Sequence, residues 1–105
     1  MREFRNSILA DEDLIGILDY TYHTWGLEQQ AKYERQLEKG RDKIRLSPSV
    51  GKKRFDLVHG CYSYKVEHHY FFYRVRNEVV EIARVLHESM NFPDHIREEY
   101  FNETT

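Results

Sequence analysis

Apolar positions along the chain follow two periods, and the change between them divides it. Phe4 and Ile8 fall on one side of a short extended segment, about Glu3 to Leu9, with Asn6 between them. Asp11, Glu12 and Asp13 then set three carboxylates at a helix start, where they complement the helix dipole. Leu14, Ile17, Leu18, Tyr22 and Trp25 follow at helical spacing. Gly16 costs that helix about 1 kcal/mol relative to Ala. Gly26 sits where a left-handed C-terminal cap belongs. A second helix is predicted from about Glu28 to Arg45. Tyr33, Leu37, Gly40 and Ile44 mark its inner stripe, and Lys32, Arg35, Lys39, Asp42 and Lys43 its outer one. Pro48 ends it, because a residue before proline avoids the helical region. So short a link at Gly26 makes the two helices an antiparallel hairpin.

Beyond a basic loop from Gly51 to Gly60 the period becomes two. Strands are predicted at about Tyr62–Val66, His69–Arg76 and Val79–Leu86, joined by Glu67-His68 and Asn77-Glu78. Links of two residues imply an antiparallel meander, although only Asn77 has good turn chemistry. In that register one face holds Tyr62, Tyr64, Val66, Phe71, Tyr73, Val75, Val80, Ile82 and Leu86, a core for the helical hairpin to cover. Leu18, Trp25, Leu37, Tyr73 and Ile82 are expected to be buried together. Arg84 falls on the core face too and needs partners, with the acids of the first helix or the chain's C-terminus as candidates. The other face holds Ser63, Lys65, Tyr70, Phe72, Arg74, Arg76, Glu81, Ala83 and His87. A slip of one residue in either turn would invert the assignment. Pro93 lies just inside a possible short helix, Asp94 to Phe101. The fold class is α+β: an N-terminal strand, a two-helix hairpin packed on an antiparallel sheet, and a short C-terminal helix.

The 105 residues suit one domain, residues 1–105. Aromatics at 14% support a sheet, and no apolar run is long enough to cross a membrane. The N-terminus from Met1 to Asn6 lacks the apolar stretch of a secretory signal. The single cysteine, Cys61, cannot form an internal disulfide, so a cytoplasmic location is the default. The net charge is −2, but residues 27–54 carry nine basic and four acidic groups, and residues 88–105 one basic and five acidic. Such a distribution either steers a charged partner or is a solvated helix face followed by a frayed end.

Candidate chemistry is sparse. Lys65, Arg74 and His87 share the outer face, with Glu81 beside Arg74, and supply the cations and the base that ribonuclease chemistry requires. Read structurally, Arg74 and Glu81 are a cross-strand pair, His87 caps a strand end and Lys65 is a solvated lysine. His59, Cys61, His68, His69 and His95 match no metal-ligand spacing, so no metal or other cofactor is expected. Cys61 lacks a histidine partner with an orienting Asn or Asp. The stretch Lys52-Lys53-Arg54 reads equally as a solvated loop or as a contact for nucleic acid or an acidic partner.

The segment from Arg54 to Asn91 carries a resemblance. It runs through Arg54, Asp56, Leu57, Gly60, Ser63, Tyr64, Val66 and His69, then Phe71-Phe72-Tyr73-Arg74-Val75. It ends on Glu81-Ile82, Arg84-Val85-Leu86-His87 and Met90-Asn91. This pattern resembles the C-terminal half of ParE toxins of the RelE/ParE superfamily. Asp13-Leu14 and Trp25-Gly26 with Glu28-Gln29 are similar to their helical hairpin. The resemblance spans about Ser7 to Ile96.

It implies the same α+β fold and a toxin of a plasmid-stabilisation type. ParE proteins inhibit DNA gyrase, and a ParD-like antitoxin wraps and silences them with its C-terminal segment. DNA contact is then expected only indirectly, through the antitoxin. RelE relatives instead cleave mRNA on the ribosome, which keeps an endoribonuclease as the alternative. Lys65, Tyr70, Phe72, Arg74, Arg76, Glu81, His87 and Met90 are the expected antitoxin- or target-binding set, because an aromatic pair among cations on an open sheet face suits a partner.

Overall fold

The computed structural model describes residues 3–101. Glu103, part of the acidic end, lies outside the described residues. Strand β1 spans Glu3–Asn6, helix α1 Ile8–Trp25 and helix α2 Leu27–Leu46. Strand β2 is Lys52–Lys53, inside the expected basic loop, and β3, β4 and β5 span Tyr62–Val66, His69–Arg76 and Val79–His87. The sheet order is β1-β5-β4-β3-β2. Both two-residue hairpins form, with Val66 opposite His69 and Arg76 opposite Val79. The sheet is mixed rather than purely antiparallel, because β1 pairs parallel with β5. The short C-terminal helix is two 3-10 turns, Phe92–Asp94 and Glu98–Phe101.

Helix α1 starts three residues before the acidic run. Ser7 caps it, its Oγ accepting from the Ala10 N–H at 2.9 Å and donating to the Ala83 carbonyl at 2.6 Å. One side chain thus ends β1, begins α1 and ties both to β5. Gly26 joins the helices at φ 94° and ψ 175°, a region almost confined to glycine. Helix α2 lies on β3 through Gly40, where an added Cβ would collide with the Val66 side chain.

Ala10, Tyr33, Leu37, Ile44, Phe71, Tyr73, Val80, Ile82 and Val85 form the core beneath the helices, with Leu18 packed against it. Two expectations fail there. Trp25 is 69% exposed at the end of α1, because it borders an open groove rather than the packed core. Leu86 leaves the helical face. Phe72 pairs with Arg84 and Tyr73 with Ile82, so Ala83 is an extra residue in β5, a bulge. A bulge inverts the alternation beyond it: Val85 takes the inner position opposite Phe71 that strict alternation gave to Arg84, and His87 the one opposite His69 that it gave to Leu86.

Phe72, Ala83 and Leu86 belong to a second core on the opposite face, with Val58, Cys61, Ile96 and Phe101. The outer face of the sheet is therefore covered by the chain's own loop and C-terminal turns.

Candidate functional site

The bulge also decides what the strands present. Past Ala83, Arg84 turns to the outer side, where its guanidinium lies over the Tyr100 ring and donates to the His95 carbonyl at 3.2 Å. Its Nε and Nη2 both bond Asp13 of α1, at 2.8 and 2.9 Å. That carboxylate also accepts the Val85 N–H at 3.0 Å, at the edge of β5 that β1 leaves bare beyond Asn6. An acid of the first helix is thus the partner that the buried arginine required, and Arg84 holds its proton more tightly for it.

His87, beyond the same bulge, lies on the helix side, opposite His69 in the ladder with ring centroids 5.1 Å apart. His68 stacks over His87 at 6.4 Å. Tyr33 of α2 orients the group: its hydroxyl accepts the His68 N–H at 3.3 Å and donates to His69 Nδ1 at 2.6 Å. Burial, then the neighbouring His87 and His68, push the His69 pKa down to about 4. A neutral ring that accepts at Nδ1 carries its proton on Nε2. His87 Nδ1 accepts from the Ser89 N–H at 3.1 Å, which fixes the same tautomer in its neutral form.

These histidines stand at one end of a groove of about 960 Å³ between α1 and the end of β5. Ile17, Tyr20, Trp25, Val85, Leu86 and Met90 line it with apolar area, and Glu12 and Asp13 edge it with charge. Tyr20 is 67% exposed and Trp25 69%, so two of its aromatic rings meet water.

The expected nuclease set does not converge. Lys65 is on the outer face, its Nζ 3.0 Å from Glu88 and 5.6 Å from the Tyr70 ring. Arg74 lies four residues beyond Tyr70 on β4, roughly 13 Å along the strand. His87 is on the opposite face. No single phosphate can touch all three.

The expected binding face is also closed. Phe72 is fully buried, with the Phe92 ring 4.9 Å from its own. Arg74 packs over Phe101 at 4.8 Å and bonds Glu98 at 2.9 Å. Buried Glu81 pairs with Arg76 at 3.1 Å and lies 3.7 Å from Arg74. The pairing of Arg74 with Glu81 is the cross-strand pair foreseen, but these residues hold the chain's own C-terminal turns down. Tyr70 is half-buried against Phe92, while Lys65 and Arg76 stay exposed. Of the expected set, His87 and Met90 line the groove.

Alternation alone could not reveal the groove, because the bulge at Ala83 carries no signature. Gly16 was the available signal. A Cβ there would meet no atom within 4 Å, so packing within the chain does not require glycine.

Among the described residues no cluster of three or more His, Cys, Asp or Glu could hold a metal ion, and no helix is long and apolar enough to cross a membrane. Cys61 is buried, and its thiol is pushed up to about 12, mainly by burial.

Residues 7–92 match the family described as the ParE toxin of the type II toxin–antitoxin system parDE. The chain is 38% identical over 96 residues to Toxin ParE1 of Caulobacter vibrioides, covering 91% of this chain and 99% of that one. It is 32% identical over 83 residues to Toxin ParE1 of Mycobacterium tuberculosis, covering 78% and 85%. A solved chain from the chromosomal ParDE system of P. aeruginosa superposes with a TM-score of 0.71 at 20% identity, over 83% of this chain and 96% of that one, and shows the same fold. With strand order, helical hairpin and sequence in agreement, the chain belongs to the ParE family of toxins of type II toxin–antitoxin systems.

Proposed function

We propose that this toxin is silenced by a ParD-like antitoxin that lays an apolar segment in the groove between α1 and β5. When free, it inhibits DNA gyrase by protein–protein binding, with no chemistry of its own. Gly16 carries the docking part. A glycine in mid-helix costs about 1 kcal/mol relative to Ala. Open space surrounds its Cβ position, so the free chain gains nothing in return. A partner backbone that must approach α1 closely at that point explains it. Tyr20 and Trp25 follow it along the same groove and offer aromatic anchors, the residue types that dominate interfaces. Glu12 on the rim favours a partner segment with a cation beside its apolar residues.

Family membership supports the gyrase part. The dispersal of Lys65, Arg74 and His87 argues against the endoribonuclease alternative. Both partners belong to the cytoplasm, and a single reduced, buried thiol fits that compartment.

Calorimetry with the cognate antitoxin tests the docking site. Gly16→Leu fills the groove from an open position, so its fold should survive and antitoxin binding should be lost. Trp25→Ala should weaken binding by roughly tenfold or more, in the range of an interface anchor. Arg76→Ala, on the outer face, should change it little. The reverse ranking would return the antitoxin to the outer sheet face.

A further inference from the structure

The exposed side of α2 separates its charges into two stripes. On a helix of 3.6 residues per turn, Lys32, Arg35, Lys39 and Lys43 fall within about 80° of one another. All four are exposed, and none takes part in an ion pair among the described residues. Asp42 borders the cationic stripe beside Arg35, while Glu34 and Glu38 lie farther round on the flank. Arg41 and Arg45 lie towards β1 with their guanidinium groups over the Phe4 ring, at 5.1 and 4.7 Å. The four cations run about 16 Å along one rigid axis. Two acids stand close to their line, Glu28 near the N-terminus of α2 and Asp42 at its edge, which leaves the cations in excess. Helix α1 is the opposite case, with Asp11, Glu12, Asp13 and Asp19 and no lysine or arginine. The two helices of the hairpin therefore present opposite potentials.

From this arrangement we infer that α2 binds the phosphate backbone of a nucleic-acid duplex directly, without the antitoxin as intermediary. The expectation from sequence routed DNA contact through the antitoxin alone. A stable protein interface needs a buried apolar or aromatic centre. This stripe has none between its cations, and Leu46 stands alone beyond its C-terminal end. A duplex needs no such centre. It offers one charge per about 1.7 Å of axis, so a row of cations finds phosphates in any sequence and any register. The contact is sequence-neutral, driven by counterion release, and separate from the α1–β5 groove.

Fluorescence anisotropy of the purified chain with a labelled 20-base-pair duplex of arbitrary sequence tests it. Four phosphate contacts give a slope of log K against log salt of about −3.6, and a loss of affinity of about 150-fold between 50 and 200 mM salt. Lys39→Gln and Lys43→Gln should each reduce the slope by about 0.9. The variant with all four cations replaced by Gln should lose binding while keeping its helical circular dichroism and its antitoxin affinity. Absence of binding at 50 mM salt would overturn the inference, as would a slope unchanged in the four-fold variant. Poly-glutamate of matched charge binding as tightly as the duplex would also overturn it, and would make an acidic protein the partner. Retained antitoxin affinity separates any of these results from a failure of the groove assignment.

Discussion

The ring of His69 is held neutral by what surrounds it. Burial disfavours its charged form most, His87 of β5 and His68 of the turn add to that, Glu88 and Asp13 oppose them more weakly, and Tyr33 of α2 donates to its Nδ1. Its folded-state pKa, about 4, lies below the ordinary 6.5, so the unfolded chain binds the proton more readily. The stability this represents is fully present above pH 6.5 and is lost as pH falls towards 4. Glu88, drawn down to about 2 by its bonds to Lys65 and His68, adds a loss from pH 4.5 downwards. Histidine ring NMR should show His69 neutral until about pH 4, with urea stability declining from pH 6.5. A His69 titration midpoint near 6.5 would mean that the ring is not buried as described.

Single residues were legible where one contact decides them. That Arg84 needs an acid, from the first helix or the chain's C-terminus, could be read although its face could not, and Asp13 supplies it. Ile82 sits in the core as its register required, and Ile82→Ala should cost roughly 2–5 kcal/mol in denaturant unfolding. A loss below about 1 kcal/mol would place it outside the core. Trp25 was not legible. Helical period assigns a face but does not say how closely anything packs against it, and Trp25 borders an open groove.

At the scale of elements, both hairpin turns formed although their chemistry is poor. Asn77 and Glu78 take φ 52° and 63°, the type I′ pattern that favours Asn-Gly. Glutamate pays about 1 kcal/mol for that backbone. Glu78→Gly should therefore raise stability by a comparable amount, and an unchanged or lower midpoint would contradict the turn geometry. The register of β3 on β4 was readable because turn length and alternation agree. That of β5 was readable only up to Ala83, since no residue type announces a bulge. This one extra residue moved Leu86 outward and His87 inward, and so divided the presumed nuclease set.

The C-terminal turns were the second hidden element. Tyr70 and Phe72 suggested a face awaiting a partner, and the partner proved to be Phe92, Ile96 and Phe101 of the same chain. Phe101→Ala should cost about 3–5 kcal/mol, as for other buried phenylalanines. A loss near zero would show that the last turn contributes nothing to the cover.

At the scale of the whole molecule, the sheet carries two cores, and the helices cover only one of them. The surfaces proposed for partners are the α1–β5 groove, with its unused space at Gly16, and the cationic side of α2. The family was legible because its motifs lie on β3 to β5, where core packing constrains them. The proposed docking site was not, because it depends on a gap between elements rather than on any one strand. The most direct test of the account is a DNA gyrase supercoiling assay with the purified chain, with and without an equimolar ParD-like antitoxin, beside an RNA cleavage assay. Supercoiling should stop and return when antitoxin is added, and RNA should remain intact. Full supercoiling activity together with cleaved RNA would contradict this.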